Sequence, residues 1–128
     1  MLLLGLLLVA VPAEAAKTQV FSKVYVVSGS LNVTDPFFMP DPGGPTPVAC
    51  YYRTVHGFPT GAMVIRVVDH RGNHVFVDEV VGTPFFGAGI PLGLLGVIPG
   101  TWTVRVTAVG TYTGVNVTLA VATHPSLC

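Results

Sequence analysis

A chain of 128 residues is too short for two ordinary domains and long enough for one core of its own. Six Lys/Arg balance six Asp/Glu, and only 9% of residues are charged where about 25% is usual, which excludes partners held by charge, such as nucleic acid or anionic lipid. With 51% of residues hydrophobic, a disordered or solvating role is excluded too.

Residues Met1 to Val11, MLLLGLLLVAV, form an apolar run followed by Pro12 and the small residues of Ala13-Glu14-Ala15. This is the layout of a secretory signal peptide over residues 1–16. Such a run rises only about 17 Å as a helix, short of roughly 30 Å of hydrocarbon, so no integral membrane anchor is expected. No Lys or Arg precedes the run, and a retained hydrophobic segment is the competing reading. Cleavage near Ala15 or Ala16 leaves a secreted, extracellular or cell-surface domain over 17–128.

From Lys17 onward the sequence reads as strands and turns. Thr18 to Val27 is rich in β-branched and aromatic residues, with Val20, Ser22, Val24 and Val26 on one face and Phe21, Lys23, Tyr25 and Val27 on the other. Ser28-Gly29-Ser30 breaks this run, Leu31 to Thr34 resumes it, and the five prolines and two glycines of Asp35 to Pro47 predict a long surface connection. Val48 to Val55 is the next strand, closed by Gly57 and Pro59. Ala62 to Val68 and His74 to Val81 flank Asp69-His70-Arg71-Gly72-Asn73, a hairpin signal.

Pro84 to Pro99, PFFGAGIPLGLLGVIP, has three prolines and four glycines and no charge, which predicts a loop or a broken edge strand. It either buries itself over the open end of the fold or stands as an exposed apolar patch that meets a partner. A second hairpin is expected from Trp102 to Val109 and Val115 to Thr123 around Gly110-Thr111-Tyr112-Thr113-Gly114. Its first arm alternates Trp102, Val104, Val106 and Ala108 with Thr101, Thr103, Arg105 and Thr107, the mark of a half-buried antiparallel strand. Trp102, Val104, Val106, Leu119 and Val121 are the expected core of the two arms. No helix is expected after residue 16.

In an exported chain Cys50 and Cys128 are a natural disulfide pair. An interchain link through Cys128 and a reactive thiol are the other readings. Closed within the chain, the loop is worth roughly 4 to 5 kcal/mol in the chain-entropy model.

Six or seven strands separated by Gly/Pro-rich turns predict an all-β, antiparallel β-sandwich of about seven strands. The segment PGTWTVRVTAVGTYTGVNVTLAVAT resembles the penultimate and last strands of immunoglobulin-like and fibronectin-type-III-like domains of secreted proteins. There a Gly-x-aromatic-x-Val-x-Val pattern opens the penultimate strand, and Trp102 holds the aromatic position. The resemblance implies an immunoglobulin-like sandwich. It departs from true immunoglobulin domains in having no Cys on the penultimate strand, and it does not select a function.

Few residues carry chemistry. His70 and His74 flank a turn on opposite arms with Asp69 beside them, so they do not converge on a metal. His56 and His124 stand alone near strand ends. Asp78 and Glu79 are adjacent on a strand and point to opposite faces, where they read as a polar edge against unwanted strand addition. No Gly-x-Ser-x-Gly elbow occurs. No enzyme, cofactor or metal is expected. Two sequons, Asn32-Val33-Thr34 and Asn116-Val117-Thr118, would accept glycans in a eukaryotic secretory route, with chance occurrence in β-rich sequence the better reading.

The leading functional expectation is a secreted structural or assembly subunit of the fibre, pilus or surface-layer kind. It would associate with itself or another surface protein through Val20, Phe21, Val24, Tyr25 and Val26 of the first strand or Phe85, Phe86, Leu94 and Leu95 of the apolar stretch. The N-terminal strand is expected to be the joining element, lent to a neighbouring copy. The alternative is a recognition module binding a carbohydrate or protein through loops at one end of the sandwich.

Overall fold

The computed structural model describes residues 17–81, 85–92 and 97–128, with 85–92 described through its backbone. The expected signal peptide over 1–16, Leu94 and Leu95, and the side chains of Phe85 and Phe86 lie outside the described residues. Six strands follow in chain order: β1 (Lys17–Met39), β2 (Val48–His56), β3 (Thr60–Val68), β4 (His74–Val80), β5 (Phe85–Leu92) and β6 (Gly100–Ala122), then a 3-10 turn over Pro125–Leu127. They make one antiparallel sheet in the order β4-β3-β6-β2-β5, with β1 on the other side of β6.

The long β6 is the spine. Its first half pairs with β3, from Val68↔Thr103 to Thr60↔Thr111, and its second half with β2, from His56↔Gly114 to Val48↔Ala122. Along its opposite side β1 runs the whole way, from Lys17↔Ala122 to Met39↔Gly100. β4 then lines β3, and β5 lines β2.

A strand of 23 residues laid straight would reach about 75 Å, roughly twice the width of a domain this size. It therefore has to fold over. β1 does so at Gly29. Phe21 and Phe37, eight residues to either side, bring their rings to 5.3 Å, and Lys23 and Asp35, six to either side, form an ion pair at 3.0 Å. The fold line continues across the sheet, because Gly29 pairs with Gly110 and Gly110 with Gly61. All three have φ between +86° and +129°, where a Cβ is strained. A Cβ on Gly61 would overlap the Val109 carbonyl oxygen, and one on Gly110 the Thr60 carbonyl oxygen. Glycine is what lets these backbones approach at the bend.

Between the two halves of this curled sheet lies the core. β1 supplies Tyr25 and Val27, β2 Tyr51 and Val55, β3 Met63, Ile65 and Val67, and β6 Trp102, Val104, Val106, Val115, Val117, Leu119 and Val121. The five core residues expected on β6's arms are all buried, Trp102 at 3% exposure. A second, smaller cluster of Val48, Cys50, Ala120 and Ala122 on the outer face is flanked by Tyr52 and Cys128.

Three expectations need correction. The Gly110–Gly114 loop is no hairpin turn: 100–122 is one strand, and the register slips between Tyr25 and Val27 of β1. This extra residue on β6 moves the inward set from Trp102, Val104, Val106 and Ala108 to Val115, Val117, Leu119 and Val121 without reversing the chain. Ser28-Gly29-Ser30 bends β1 and does not end it. The strand then runs on through Asp35-Pro36 to Met39, since an edge strand tolerates the donor that Pro36 lacks. The hairpin of β3 and β4 is present as expected, and 85–92 of the apolar stretch is an edge strand on β2.

Candidate functional site

Two features stand out against the plain valine-rich core: an open edge strand and a charged interior. Among the described residues β1 pairs only with β6, so its other side presents unpaired backbone groups along its length. Edge strands normally carry charges, prolines or bulges that discourage pairing. Here Lys23 is turned inward onto Asp35, leaving Lys17, Pro36 and the register slips as the defences. On the outer face Val24 is 53% and Val26 64% exposed. Beside them a Cβ on Gly114 would lie 3.7 Å from Val24 and 3.5 Å from the ring of His56, so valines, glycine and histidine form one low surface. It lies near the link from β2 to β3, where Phe58 is 96% exposed.

The expected assembly residues thus divide. Val24 and Val26 are on the surface and Val20 is half-buried, whereas Tyr25 is buried and Phe21 packs on Phe37. Within one chain the last two belong to the core, because β1 alternates across the sheet. Phe85 and Phe86 pair through their backbones with Thr54 and Arg53.

Four charges fall on the inward parity of their strands: Arg53 and Asp78 are nearly buried, whereas Lys23 and Asp35 keep 45% and 23% of their side chains exposed. Across the bend of β1, the Tyr25 hydroxyl donates to Asp35 Oδ2 at 2.7 Å, and Lys23 Nζ reaches both Asp35 oxygens at 3.0 Å. Deeper in, the Tyr51 hydroxyl donates to Asp78 Oδ2 at 2.6 Å, and Arg53 Nε lies 2.9 Å from the same oxygen. The Tyr51 ring packs on Phe76 at 4.8 Å.

Burial, and then the bond to Asp35 and its charge, push the Tyr25 phenol far above its ordinary range. Burial and Asp78 do the same to Tyr51. For Asp35, burial raises the carboxyl, but Tyr25 and Lys23 together outweigh it and hold the group below its usual range. Each phenol is held in its neutral form and donates to a carboxylate oxygen, an arrangement that fixes the geometry of the strands it joins.

Asp78 was expected on a polar edge. Instead it faces inward, because β4 turns Phe76, Asp78 and Val80 to the core and Val77 and Glu79 to solvent. A signal was available: Arg53 alternates with Ala49, Tyr51 and Val55, and Asp78 with Phe76 and Val80, so each charge falls on the apolar side of its strand.

The remaining candidates are structural. Asp69 holds the β3–β4 turn, accepting from the backbone N–H of Arg71 and of Asn73 at 2.9 Å each, and His70 packs against Gly100. Among the described residues no three His, Cys, Asp or Glu gather as a metal site. Cys50 and Cys128 are joined in a disulfide with Cα atoms 5.4 Å apart. The bond seats the chain's last residues on the outer face, where Lys17 Nζ donates to the Leu127 carbonyl at 3.2 Å and lies 4.9 Å from the centre of the Tyr52 ring. No described helix is long and apolar enough to cross a membrane. Compared with protein-family models, with curated proteins and with solved structures, the chain matches none, so its own geometry carries the functional argument.

Proposed function

We propose that this is a secreted structural or assembly protein whose copies join by adding the free edge of β1 to the same edge of a neighbour. The supporting observation is that edge itself: 23 residues long, paired on one side only among the described residues, with Val24 and Val26 beside it in water. Addition is favoured over lending the strand. Phe21–Phe37, Lys23–Asp35 and Tyr25–Asp35 tie the two halves of β1 to each other across the bend, and lending Thr18 to Val27 would first have to part all three before a neighbour could remake them, an opening that edge addition does not need. An extracellular location fits the disulfide, which oxidising compartments preserve. An immunoglobulin-like sandwich of about seven strands belongs to the same proposal. The antiparallel pairing and the buried Trp102 support it, and the unbroken β6 counts against the hairpin on which it rests.

The test is light scattering with electron microscopy on the purified chain, beside a Val24→Lys/Val26→Lys variant. Both side chains are exposed, so the variant keeps its fold, while two added cations oppose their counterparts across a shared edge. Assembly that rises with concentration and weakens at least tenfold in the variant is expected. A chain that is monomeric throughout, or a variant that assembles as the parent does, rejects the proposal. The recognition module would then lead, for which the exposed Phe58 supplies a contact.

A further inference from the structure

We propose that Asn32 is an N-glycosylation site and that Asn116, in the second sequon, is not. Asn32 stands on the same open edge as the proposed assembly contact, and its modification is read in the secreted chain by mass, apart from any association.

The two sequons share residue types and strand conformation and differ in surroundings. Asn32 and Thr34 are both exposed, on the outer face of the edge strand. On one flank Asn32 has Thr107 of β6, and on the other, among the described residues, no strand. Ser30, Arg105 and Thr107 nearby are exposed as well, with Val109 next to Ser30, so a sugar there would rest on a mainly polar face. Asn116 stands on the central strand, flanked by Val24 of β1 and by Thr54 of β2. It is half-buried, its Oδ1 is sealed from solvent without a hydrogen-bond partner, and the adjacent Ser22 and Thr118 hydroxyls lie 3.3 Å apart. A glycan at Asn116 would have to displace the side chains that seal its amide on this face, whereas at Asn32 it extends into open space.

The modification is transfer of an oligosaccharide from a lipid-phosphate-linked donor. Asn32 Nδ2 forms a bond to the anomeric carbon, the bond from that carbon to the donor's phosphate oxygen breaks, and the amide proton leaves with the phosphate. No oxidant or reductant takes part. Thr34, two residues on, supplies the hydroxyl that sequon recognition requires.

The test places the full chain behind a host secretory signal in a eukaryotic cell and weighs the secreted protein before and after an enzyme that removes N-glycans. One glycan per chain is expected. It should vanish in Asn32→Gln and in Thr34→Ala, and persist in Thr34→Ser and Asn116→Gln. Thiol labelling provides the control: a chain whose Cys50 and Cys128 no longer react has passed through the oxidising lumen where transfer occurs. An unmodified Asn32 in such a chain, or a glycan retained in Asn32→Gln and lost in Asn116→Gln, overturns the proposal.

Discussion

The row of glycines across the bend makes a quantitative demand that alanine can test. At Gly29, with φ +102° and nothing within 4 Å of an added Cβ, Gly29→Ala meets only backbone strain, about 1–2 kcal/mol. At Gly110, with φ +129°, the new Cβ meets the same strain and also overlaps the Thr60 carbonyl oxygen, with the Cα of Gly61 at 2.9 Å. β3 must then retreat from β6, and giving up two or three ladder hydrogen bonds at about 1 kcal/mol each brings the total to about 3–5 kcal/mol. That is a third or more of the stability of an ordinary domain, and about 15 °C in Tm against about 5 °C for Gly29→Ala. Urea unfolding followed by the fluorescence of the single buried tryptophan, Trp102, measures both. Gly61→Ala should match Gly110→Ala. A Gly110→Ala variant no less stable than Gly29→Ala would refute the close approach of β3 and β6 and the folding of the sheet along this line.

Three further outcomes are expected. Asp78→Leu, which strips Tyr51 and Arg53 of the carboxylate they share, should cost about 3–5 kcal/mol in urea unfolding. Asp35 and Asp69 are both held below the usual carboxylate range in the fold, so each contributes stability that is present above about pH 4 and lost as pH falls through its folded value. Urea midpoints in acid should show this slope, and Asp35→Asn should flatten it. Reduction of Cys50–Cys128, which closes a separation of 78 residues, should cost about 4 kcal/mol. It should also raise the binding of an apolar dye as Val48, Ala120 and Ala122 are uncovered.

Much of the fold was legible in the sequence, and the failures share one cause. The β3–β4 hairpin could be read because its turn residues sit between two apolar runs, and the core side of Trp102 to Val106 because it alternates without a break. Gly110 and Gly114 were misread as the ends of a turn. A hairpin and a bulge both shift the parity of the inward residues, and sequence shows the shift without showing whether the chain reverses. Gly29 was misread as a break for a similar reason: its partners across the sheet, Gly110 and Gly61, are far away in sequence. Pro36 argued for a loop because its edge position was unknown. Of the candidate site, Val24 and Val26 were legible. The Tyr51–Asp78–Arg53 cluster was missed because each charge was weighed by itself, without its place in the strand's alternation.

Six cations and six anions are all the charge this chain has, yet two of each, Lys23, Asp35, Arg53 and Asp78, stand at inward positions. Hydrophobic burial alone does not account for them, since valine would fill those places at less desolvation cost. An apolar inner face does not fix where a long sheet folds. Sliding the bend by two residues keeps every side chain on its own face, and one valine replaces another. Arg53–Asp78 resists such a slide, because it sets a nearly buried carboxylate against hydrocarbon at a cost of several kcal/mol, and the half-exposed Lys23–Asp35 adds at most about 1 kcal/mol. Lys23–Asp35 locates the bend in β1, and Arg53–Asp78 with Tyr51 locates β2 against β4. In a Tyr51→Phe background, which leaves no buried hydroxyl orphaned, replacing both members of the deeper pair, Arg53→Met with Asp78→Leu, should therefore leave stability within about 1 kcal/mol of that background, unlike Asp78→Leu alone. The cost should appear as lost uniqueness, with doubled or broadened amide resonances from β2 and β4. A double variant as unstable as the single one, or one with a single sharp set of resonances, would show that the pair does not hold the register.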